Sequence, residues 1–451
     1  MLTSPLPSRN MANASAPTIT FRGARVARSA YNARYRTISV RGERLDQVYM
    51  TGAASPVPET IDGISIDLSG YLVLPGLINA HDHLDFSTFP RLGRGIHSNW
   101  KKWCAEIHHS ERQVIDECLR VPKDVRLWWG GIRNLLCGVT TVSHHNPYAA
   151  GTFDADFPIN VLREYGWAHS LADVHRVSER FGQTPTEWPF LLHLAEGTDD
   201  DSQHEFDALD RLLRVDSQVV MVHCVGLTPE QWERAALAGA GVVWCPSSNL
   251  YTLGTTLNCQ RIMSFPNLAL GSDSPLTATG DLLDEIRLAH HEIGIPAPIV
   301  YELVTSRPAR LLRLGSGEGT LQPGNQADLI VTRDSDFTPA HALVQLTWRD
   351  IEFVMQRGRI VLVSAELADR IPDELTRGME PVSIDGHKRF VRAPIAELWT
   401  ETFTALGRIP ALSGRMLSIE SGDRSSSACL KRFREIADVT ILRDGCHPFV
   451  I

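Results

Sequence analysis

Strand-like and helical segments alternate along residues 126–312, and this alternation constrains the fold more than any other feature of the sequence. The strand-like segments are short and apolar, as is typical of strands buried in a parallel sheet. They cover residues 138–145, 166–174, 189–196, 218–223, 241–245 and 268–273, and most intervening stretches, including 157–165, have helical character. Repeated β/α units of this length predict an α/β protein with a (β/α)-barrel.

Histidines and one aspartate follow these predicted strands. An apolar segment at residues 71–78 leads to His81 and His83, and His193, His223 and Asp273 occur at the ends of later strands. Side chains two residues apart in a strand point the same way, so His81 and His83 should project together. Because active sites of β/α barrels lie at the carboxyl ends of the strands, the pattern predicts a metal site there.

The flanks of the barrel segment predict a second, smaller domain. Alternating apolar and polar residues indicate strands within residues 18–70 and 319–365, on either side of a barrel over residues 71–318. We therefore expect a small β-sandwich formed from both flanks. Residues 1–17 are interpreted as a disordered leader without a secretion signal. Residues 366–451 form a C-terminal extension of unassigned role, with packing or assembly as the expected contribution.

Composition narrows the range of partners. The net charge of −9 argues against nucleic acid or an anionic membrane surface, and no apolar run is long enough to span a membrane. The eight cysteines include no C-x-x-C pair, which indicates reduced thiols in a cytoplasmic protein. A small-molecule substrate is the expected partner.

Seven motifs together resemble the amidohydrolase superfamily. They are LPGLINAHDHL, GVTTVSHHNP, HLAEG, MVHCVGL, WCPSSNL, LALGSDSP and PGNQADLIV, spread from about residue 68 to 363. Within the superfamily, the sequence is similar to the branch of cytosine, guanine and S-adenosylhomocysteine deaminases and triazine hydrolases. The resemblance implies a distorted (β/α)8 TIM barrel with a small β-sandwich. It also implies a metal-dependent hydrolase acting on carbon–nitrogen bonds other than peptide bonds.

The same resemblance implies the ligands of one divalent metal. By matching position, these are His81, His83, His193 and Asp273. Three imidazoles and one carboxylate suit zinc, with ferrous iron as the alternative. No lysine occurs between Lys123 and Lys388, so the carboxylated lysine that bridges two metals in binuclear members cannot form. A single metal is expected, although a bridging glutamate stays open as an alternative.

Three residues are expected to act on the proton and the attacking water. Glu196, three residues beyond His193, matches the superfamily's proton shuttle. His223 would hydrogen-bond the water or the substrate oxygen, and Asp273 would double as a base. For the substrate we predict contacts from His144, His145 and Asn249. Further candidates are His169, His175, Asn146, Ser247, Ser248 and Ser274, with Phe86, Trp100 and Trp103 as an apolar lid and Arg91 and Arg94 as partners of a substrate carboxylate.

The interval between residues 174 and 188 is too short for a complete β/α unit. We therefore expect the fourth β/α unit of the barrel to be severely shortened. The leading hypothesis is a mononuclear hydrolase that deaminates an amidine-like or N-heterocyclic substrate. The alternative is hydrolytic ring opening of a cyclic amide, and a non-catalytic binding module is a third reading. Relatives of this kind also make a homodimer an expected assembly.

Overall fold

The structure is a computed structural model that describes residues 17–50 and 63–419. The predicted leader, apart from its last residue, and the final part of the predicted C-terminal extension lie outside the described residues.

The described strands alternate with helices through the middle of the chain. The strands are β1 (Thr18–Ser29), β2 (Asn32–Arg41), β3 (Arg44–Met50), β4 (Gly63–Asp67), β5 (Tyr71–Pro75), β6 (Leu77–Asp82), β7 (Val139–His144), β8 (Asn160–Val161), β9 (Gly166–Trp167), β10 (Phe190–Leu194), β11 (Val219–His223), β12 (Gly241–Trp244), β13 (Leu268–Leu270), β14 (Leu329–Arg333), β15 (Phe353–Gln356), β16 (Arg359–Ser364), β17 (Glu380–Ile384), β18 (His387–Val391) and β19 (Leu417–Ser418). The helices are α1 (Trp100–Ser110), α2 (Arg112–Cys118), α3 (Lys123–Leu136), α4 (Val174–Gln183), α5 (Asp200–Leu213), α6 (Pro229–Leu237), α7 (Pro246–Leu253), α8 (Cys259–Ser264), α9 (Leu282–Arg287), α10 (Ala297–Leu303), α11 (Ser306–Leu311), α12 (Pro339–Leu343), α13 (Ala365–Ala368), α14 (Asp373–Thr376) and α15 (Ile395–Leu406).

The barrel wall consists of two parallel sheets. One has the order β6-β7-β8 and the other the order β13-β12-β11-β10-β9. They meet between β6 and the end of β13, where the backbone N–H groups of Ser272 and Asp273 donate to the His81 carbonyl at 3.1 and 3.0 Å. Apolar side chains fill the interior, among them Ile78, Leu191 and Val220. The predicted TIM-barrel-like α/β fold is thereby confirmed.

The barrel is irregular around its third and fourth strands. Both β8 and β9 are two residues long, and residues 162–165 connect them without a helix. The helix predicted over residues 157–165 is therefore wrong. Its apolar residues serve another purpose, because the ring of Phe157 packs 5.0 Å from those of Trp128 and Phe153. Counted around the barrel, β8 is the third strand and β9 the fourth, so the missing helix lies between the third and fourth strands. The sequence analysis predicted the shortening in the fourth β/α unit.

Helix starts in the barrel follow the local sequence. Asp199 caps α5 by accepting a hydrogen bond from the Ser202 amide. Thr228 and Gln231 form a capping box at the start of α6, where Pro229 occupies the first turn. The capping residues start α5 and α6 a few residues after β10 and β11 end. Short loops therefore carry the residues at the carboxyl ends of these two strands.

A large mixed sheet draws its strands from both sides of the barrel segment. Its order is β19-β17-β18-β16-β15-β14-β5-β1-β2-β3, with β4 paired to β1. The two sides meet in the antiparallel pairing of β5 with β14 and in backbone hydrogen bonds between residues 43–45 and 324–327. The described part of the C-terminal extension adds β17, β18 and β19 to this sheet. It also packs α15 against α3, where Trp129 Nε1 donates to Thr402 Oγ1 at 2.8 Å.

Two further observations concern the described residues only. None of their helices combines the length and apolar composition that a membrane crossing requires. Their six cysteines are all free thiols.

Candidate active site

Four side chains from three parts of the barrel converge at the carboxyl ends of its strands. His81 lies in β6 and His83 directly follows it, His193 lies in β10, and Asp273 follows β13. All four are buried, with exposures between 0% and 7%. The structure therefore brings together the four residues that the sequence analysis proposed as metal ligands.

Three of the distances between their ligand atoms are those of ligands that share one metal ion. His81 Nε2 lies 3.4 Å and His83 Nε2 3.6 Å from Asp273 Oδ1, and His193 Nε2 lies 3.3 Å from His81 Nε2. Two ligands at a tetrahedral angle, each about 2.0–2.1 Å from an ion, are about 3.3 Å apart. The described residues contain two overlapping groups whose ligand atoms lie within 4.8 Å of one another, and they are His81, His83 and Asp273, and His81, His193 and His223. Imidazoles and one carboxylate at this spacing are the donors of a zinc-type site.

A β-bulge in β6 directs the two first histidines into the barrel. The register against β7 shifts between Asn79 and Asp82, so that strand β6 has one extra residue there. As a result Asn79 and Asp82 both face α3, where Asn134 contacts each of them, while His81 and His83 both face Asp273.

Left-handed backbone conformations occur at the other strand ends. Ala195, His223 and Asp273 have φ values of 51°, 74° and 57°, and none of them is glycine. Such conformations cost of order 1–3 kcal/mol each and persist where the surrounding structure imposes them, often at functional sites. Here they re-aim the chain as it leaves β10, β11 and β13, which brings Glu196, His223 and Asp273 around one point.

Hydrogen bonds orient two of the imidazoles. His193 Nδ1 lies 2.9 Å from the His169 carbonyl, and His223 Nδ1 lies 2.9 Å from Asn249 Oδ1. Because a carbonyl oxygen only accepts, each Nδ1 carries the proton and each Nε2 presents its lone pair. The Nε2 atoms of both rings therefore face the centre of the site in the form that binds a metal or accepts a proton.

Burial favours the neutral form of His81 and His193, and the neighbouring histidines favour the ionised form of Asp273. Burial lowers the pKa of His81 to about 4 and that of His193 well below its usual value. Burial alone would favour a neutral Asp273, yet the hydrogen bond from His81 and the charges of His223 and His83 hold its pKa well below the usual range. Neutral imidazole and ionised carboxylate are the forms that ligate a metal ion.

Glu196 lies beside this cluster. Its Oε2 is 3.5 Å from His223 Nε2, and its side chain is 13% exposed. Burial, together with the charges of Asp273 and Glu205, raises the pKa of Glu196 well above its usual value. A carboxyl group of raised pKa next to a metal-type cluster is suited to carrying a proton near neutral pH.

A cavity of about 690 Å³, its open mouth included, lies over the cluster. Its walls combine the polar cluster with aromatic and aliphatic side chains. The lining residues are His83, Phe86, Trp100, Trp103, Cys104, Asn146, His169, His193, Glu196, His223, Asp273, Ser274, Leu276 and Thr277. The predicted apolar lid residues, as well as Asn146, His169 and Ser274, thus all lie in the lining.

The predicted substrate residues His144, His145 and Asn249 lie outside this lining. His144 Nδ1 accepts from the Leu84 amide at 3.2 Å, and the ring of His145 packs 4.3 Å from that of His193. Asn249 is behind His223, to which it is hydrogen-bonded. They therefore support the residues that line the cavity, and their predicted contact with a substrate stays a prediction.

Other predicted substrate residues also lie elsewhere. Arg91 contacts Thr279 at 3.2 Å and stacks on the Tyr251 ring, and Arg94 is not part of the lining. His175 is exposed on α4.

Sequence reasoning missed three lining residues, Cys104, Leu276 and Thr277. Thr277 Oγ1 and Asp273 Oδ2 both contact Ser248 Oγ, at 2.8 and 2.6 Å. The only available signal for Leu276 and Thr277 was their closeness in sequence to Asp273.

Comparisons with known proteins agree with this site. Residues 168–361 match the amidohydrolase family. A 5-methylthioadenosine/S-adenosylhomocysteine deaminase of Moorella thermoacetica is 29% identical over 42% of this chain and 50% of its own length. An enzyme of the same name from Haloarcula marismortui is 25% identical over 64% of this chain and 79% of its own length. The chain therefore spans about half of the first of these relatives.

Solved structures share the fold. A triazine hydrolase variant superposes with a TM-score of 0.67 at 16% identity, covering 87% of this chain and all of its own. An adenosine deaminase of Xanthomonas campestris with bound zinc gives a TM-score of 0.66 at 18% identity, covering 87% and 98%. The chain therefore shares the fold of these structures, and residues 168–361 share the amidohydrolase family pattern. The predicted resemblance to this superfamily, in its branch of deaminases and triazine hydrolases, is confirmed.

Proposed function

We propose that the protein is a mononuclear metal-dependent hydrolase that deaminates an amidine-like or N-heterocyclic small molecule. The observation that carries the proposal is the convergence of His83, Asp273 and His193 on His81, where they form parts of two groups that could hold a metal ion, with Glu196 at the edge. The relatives named as deaminases support deamination over other reactions of this class.

Zinc is the proposed metal, with ferrous iron as the alternative. The three neutral imidazoles and one carboxylate suit either ion, and a zinc-bound structure of the same fold supports zinc. When bound, such an ion lowers the pKa of a coordinated water toward neutrality.

Side chains of the protein carry out the proton transfers of the proposed reaction. Glu196 accepts the proton of the attacking water and passes it to the leaving nitrogen. His223, held by Asn249, directs its Nε2 toward the same point and hydrogen-bonds the water or the substrate. Asp273 Oδ2, 3.9 Å from His223 Nε2, is a second acceptor for that proton.

The lining of the cavity restricts the charge of the substrate. Among the described residues that form it, there is no lysine or arginine, and the carboxylates are Glu196 and Asp273. Phe86, Trp103 and Leu276 form apolar parts of the same lining. A phosphate or carboxylate on the substrate would find no cationic side chain in this lining apart from the proposed metal ion, which the attacking water occupies, so we expect an uncharged or cationic substrate that carries an apolar group.

A screen for ammonia release tests the proposal. The zinc-loaded protein is incubated with amino-substituted N-heterocycles and with cyclic amides, each in neutral and in phosphorylated or carboxylated form. We expect ammonia from a neutral amino-heterocycle and none from its anionic analogue. A ring-opened acid without ammonia would replace deamination by cyclic amide hydrolysis. If the protein failed to bind one equivalent of metal, the proposed metal-dependent hydrolase activity would be refuted and a non-catalytic binding module would be favoured.

A further inference from the structure

A buried ion pair lies directly behind the metal-type cluster. Asp82, between His81 and His83 in sequence, faces away from them toward α3 and is 0% exposed. Arg133 of α3, 1% exposed, places Nη2 within 2.5 Å of both Asp82 carboxylate oxygens. A single guanidinium nitrogen shared by two oxygens holds the carboxylate in one orientation.

Two amides extend this pair toward the other side of the barrel. Asn134 Nδ2 donates to Asp82 Oδ2 at 2.7 Å, and Asn79 Nδ2 lies 3.1 Å from the same oxygen. Asn79 also bonds Ser272 twice, from its Nδ2 to the Ser272 hydroxyl at 2.8 Å and from the Ser272 amide to its Oδ1 at 3.0 Å. The network therefore runs from the residue between the two histidines to the residue before Asp273.

This path spans the junction of the first and last barrel strands. The junction itself is short of backbone pairing, since it is formed by the Ser272 and Asp273 amides on the His81 carbonyl. The distance between the His81/His83 pair and Asp273 consequently depends on the side chains that join the two strands. Asn79 bridges the two strands by its bonds to Ser272, Asp82 holds Asn79, and Arg133 in turn holds Asp82.

Packing alone gives no reason for charges at this position. Apart from Asn134, which belongs to the network, the residues of α3 within two positions of Arg133 are glycine or buried apolar residues, and the apolar ones are Ile132 and Leu135. A buried ion pair is often no more stabilising than apolar residues of similar volume, because both charges lose their hydration. What such a pair supplies is a single geometry, and here that geometry is the spacing of the metal ligands.

We propose that Asp82 and Arg133 are positioning residues that set the distance between the His81/His83 pair and Asp273, and so tune metal affinity. The inference rests on the proposed metal centre. It predicts that disturbing the pair alters the coordination geometry without touching a ligand. Partners of this kind typically change metal affinity by about 10–100-fold when removed.

Cobalt substitution provides the test. The visible absorption of bound Co²⁺ reports its coordination geometry, and competition with a chromophoric chelator reports its affinity. The variants are Asp82→Asn, Arg133→Gln and the double variant. The control is Arg415→Gln, because Arg415 and Asp281 form another buried ion pair that contacts none of the four ligands. Ser272→Ala, which removes only the hydroxyl that Asn79 contacts, serves if the charge variants do not fold.

We expect each single variant to bind Co²⁺ at least tenfold more weakly, with a shifted absorption spectrum. The double variant should lose less affinity than the product of the single losses, because neither charge is left alone. Arg415→Gln should lower the melting temperature and leave the spectrum unchanged.

Three results would overturn the inference. Unchanged spectra and affinities in the folded variants would do so, as would an equal change in Arg415→Gln. If the native protein itself bound no Co²⁺, the proposed metal centre would fall as well, whereas normal native binding with unaffected variants would remove the positioning role alone.

Discussion

Replacement of Glu196 by glutamine separates the chemistry from the metal site. Glutamine has the same size, and no protein hydrogen bond of the described residues depends on the Glu196 carboxylate being charged; its close neighbour is His223 Nε2 at 3.5 Å. The four proposed ligands are left in place. We therefore expect Glu196→Gln to retain one equivalent of metal and to lose the proton transfer.

The magnitude follows from what the carboxyl group does. General acid–base catalysis by one side chain contributes roughly 10²–10⁴-fold, or about 3–5 kcal/mol of the barrier. Asp273 is the other carboxylate of the cavity lining, and its Oδ2 already accepts from Ser248 Oγ at 2.6 Å. Because this second acceptor is also a ligand and is ionised at low pH, it substitutes poorly, so we expect a loss of about 10³-fold in kcat.

The same change should not weaken the fold. Since the pKa of Glu196 is raised in the folded protein, its ionisation above the ordinary carboxyl pKa costs stability, and that cost grows as the pH rises toward the folded pKa. Glutamine removes the cost. The metal-free variant should therefore melt at the same temperature as the native protein or higher at pH 8.

Steady-state ammonia release, metal analysis and thermal melting are measured on the same preparations. Glu205→Gln is the comparison variant, because Glu205 is a partly buried carboxyl that accepts from the Ala195 amide at 2.8 Å, does not line the cavity and acts on Glu196 only through its charge. Its kcat should stay within a few-fold of native. A native kcat in Glu196→Gln would refute the role of Glu196 as proton shuttle. A fall in kcat that is fully explained by a lower metal content would refute it as well.

Three other outcomes can be measured on the same protein. Asp273→Asn should lose metal and turnover together, by metal analysis, and full activity would mean that another group is the fourth ligand. Glu285, fully buried against Ser247, has its pKa raised by burial to about 8, so native stability should fall between pH 4.5 and 8 by at most about 5 kcal/mol. Thermal melts of Glu285→Gln should show a flatter profile there, and an equal slope would contradict it. Leu276→Ala should raise KM about tenfold for a substrate with an apolar group and leave kcat unchanged; a fall in kcat alone would remove it from the binding wall.

The residues of the proposed metal centre could be found from the sequence because barrel chemistry is tied to strand ends. An apolar segment followed by a histidine or aspartate is a local pattern, and it identified His81, His83, His193, His223 and Asp273 as strand-end residues. The resemblance to the amidohydrolase superfamily then implied which four of them are the ligands. Glu196 was recognised by its spacing from His193 in the motif HLAEG. The class of fold follows from the same local repetition of strand and helix.

The remaining features depend on contacts between distant residues. The segment 157–165 was predicted as a helix, but Phe157 packs on Trp128 and the chain forms a two-residue strand instead. His144 and His145 end a strand as the other site residues do, yet the structure places them behind the cavity wall. Local pattern cannot distinguish a strand-end residue that faces the cavity from one that faces the protein.

The sequence by itself thus determined which side chains are available for the chemistry, because their spacing along the chain follows the period of the strands. Only the tertiary structure decided where they point. The extra residue between Asn79 and Asp82 turns His81 and His83 inward and Asp82 outward to Arg133. Left-handed backbone at His223 and Asp273 aims those residues at the same point. Such backbone departures are imposed by packing between elements far apart in sequence, which is why they leave no local mark.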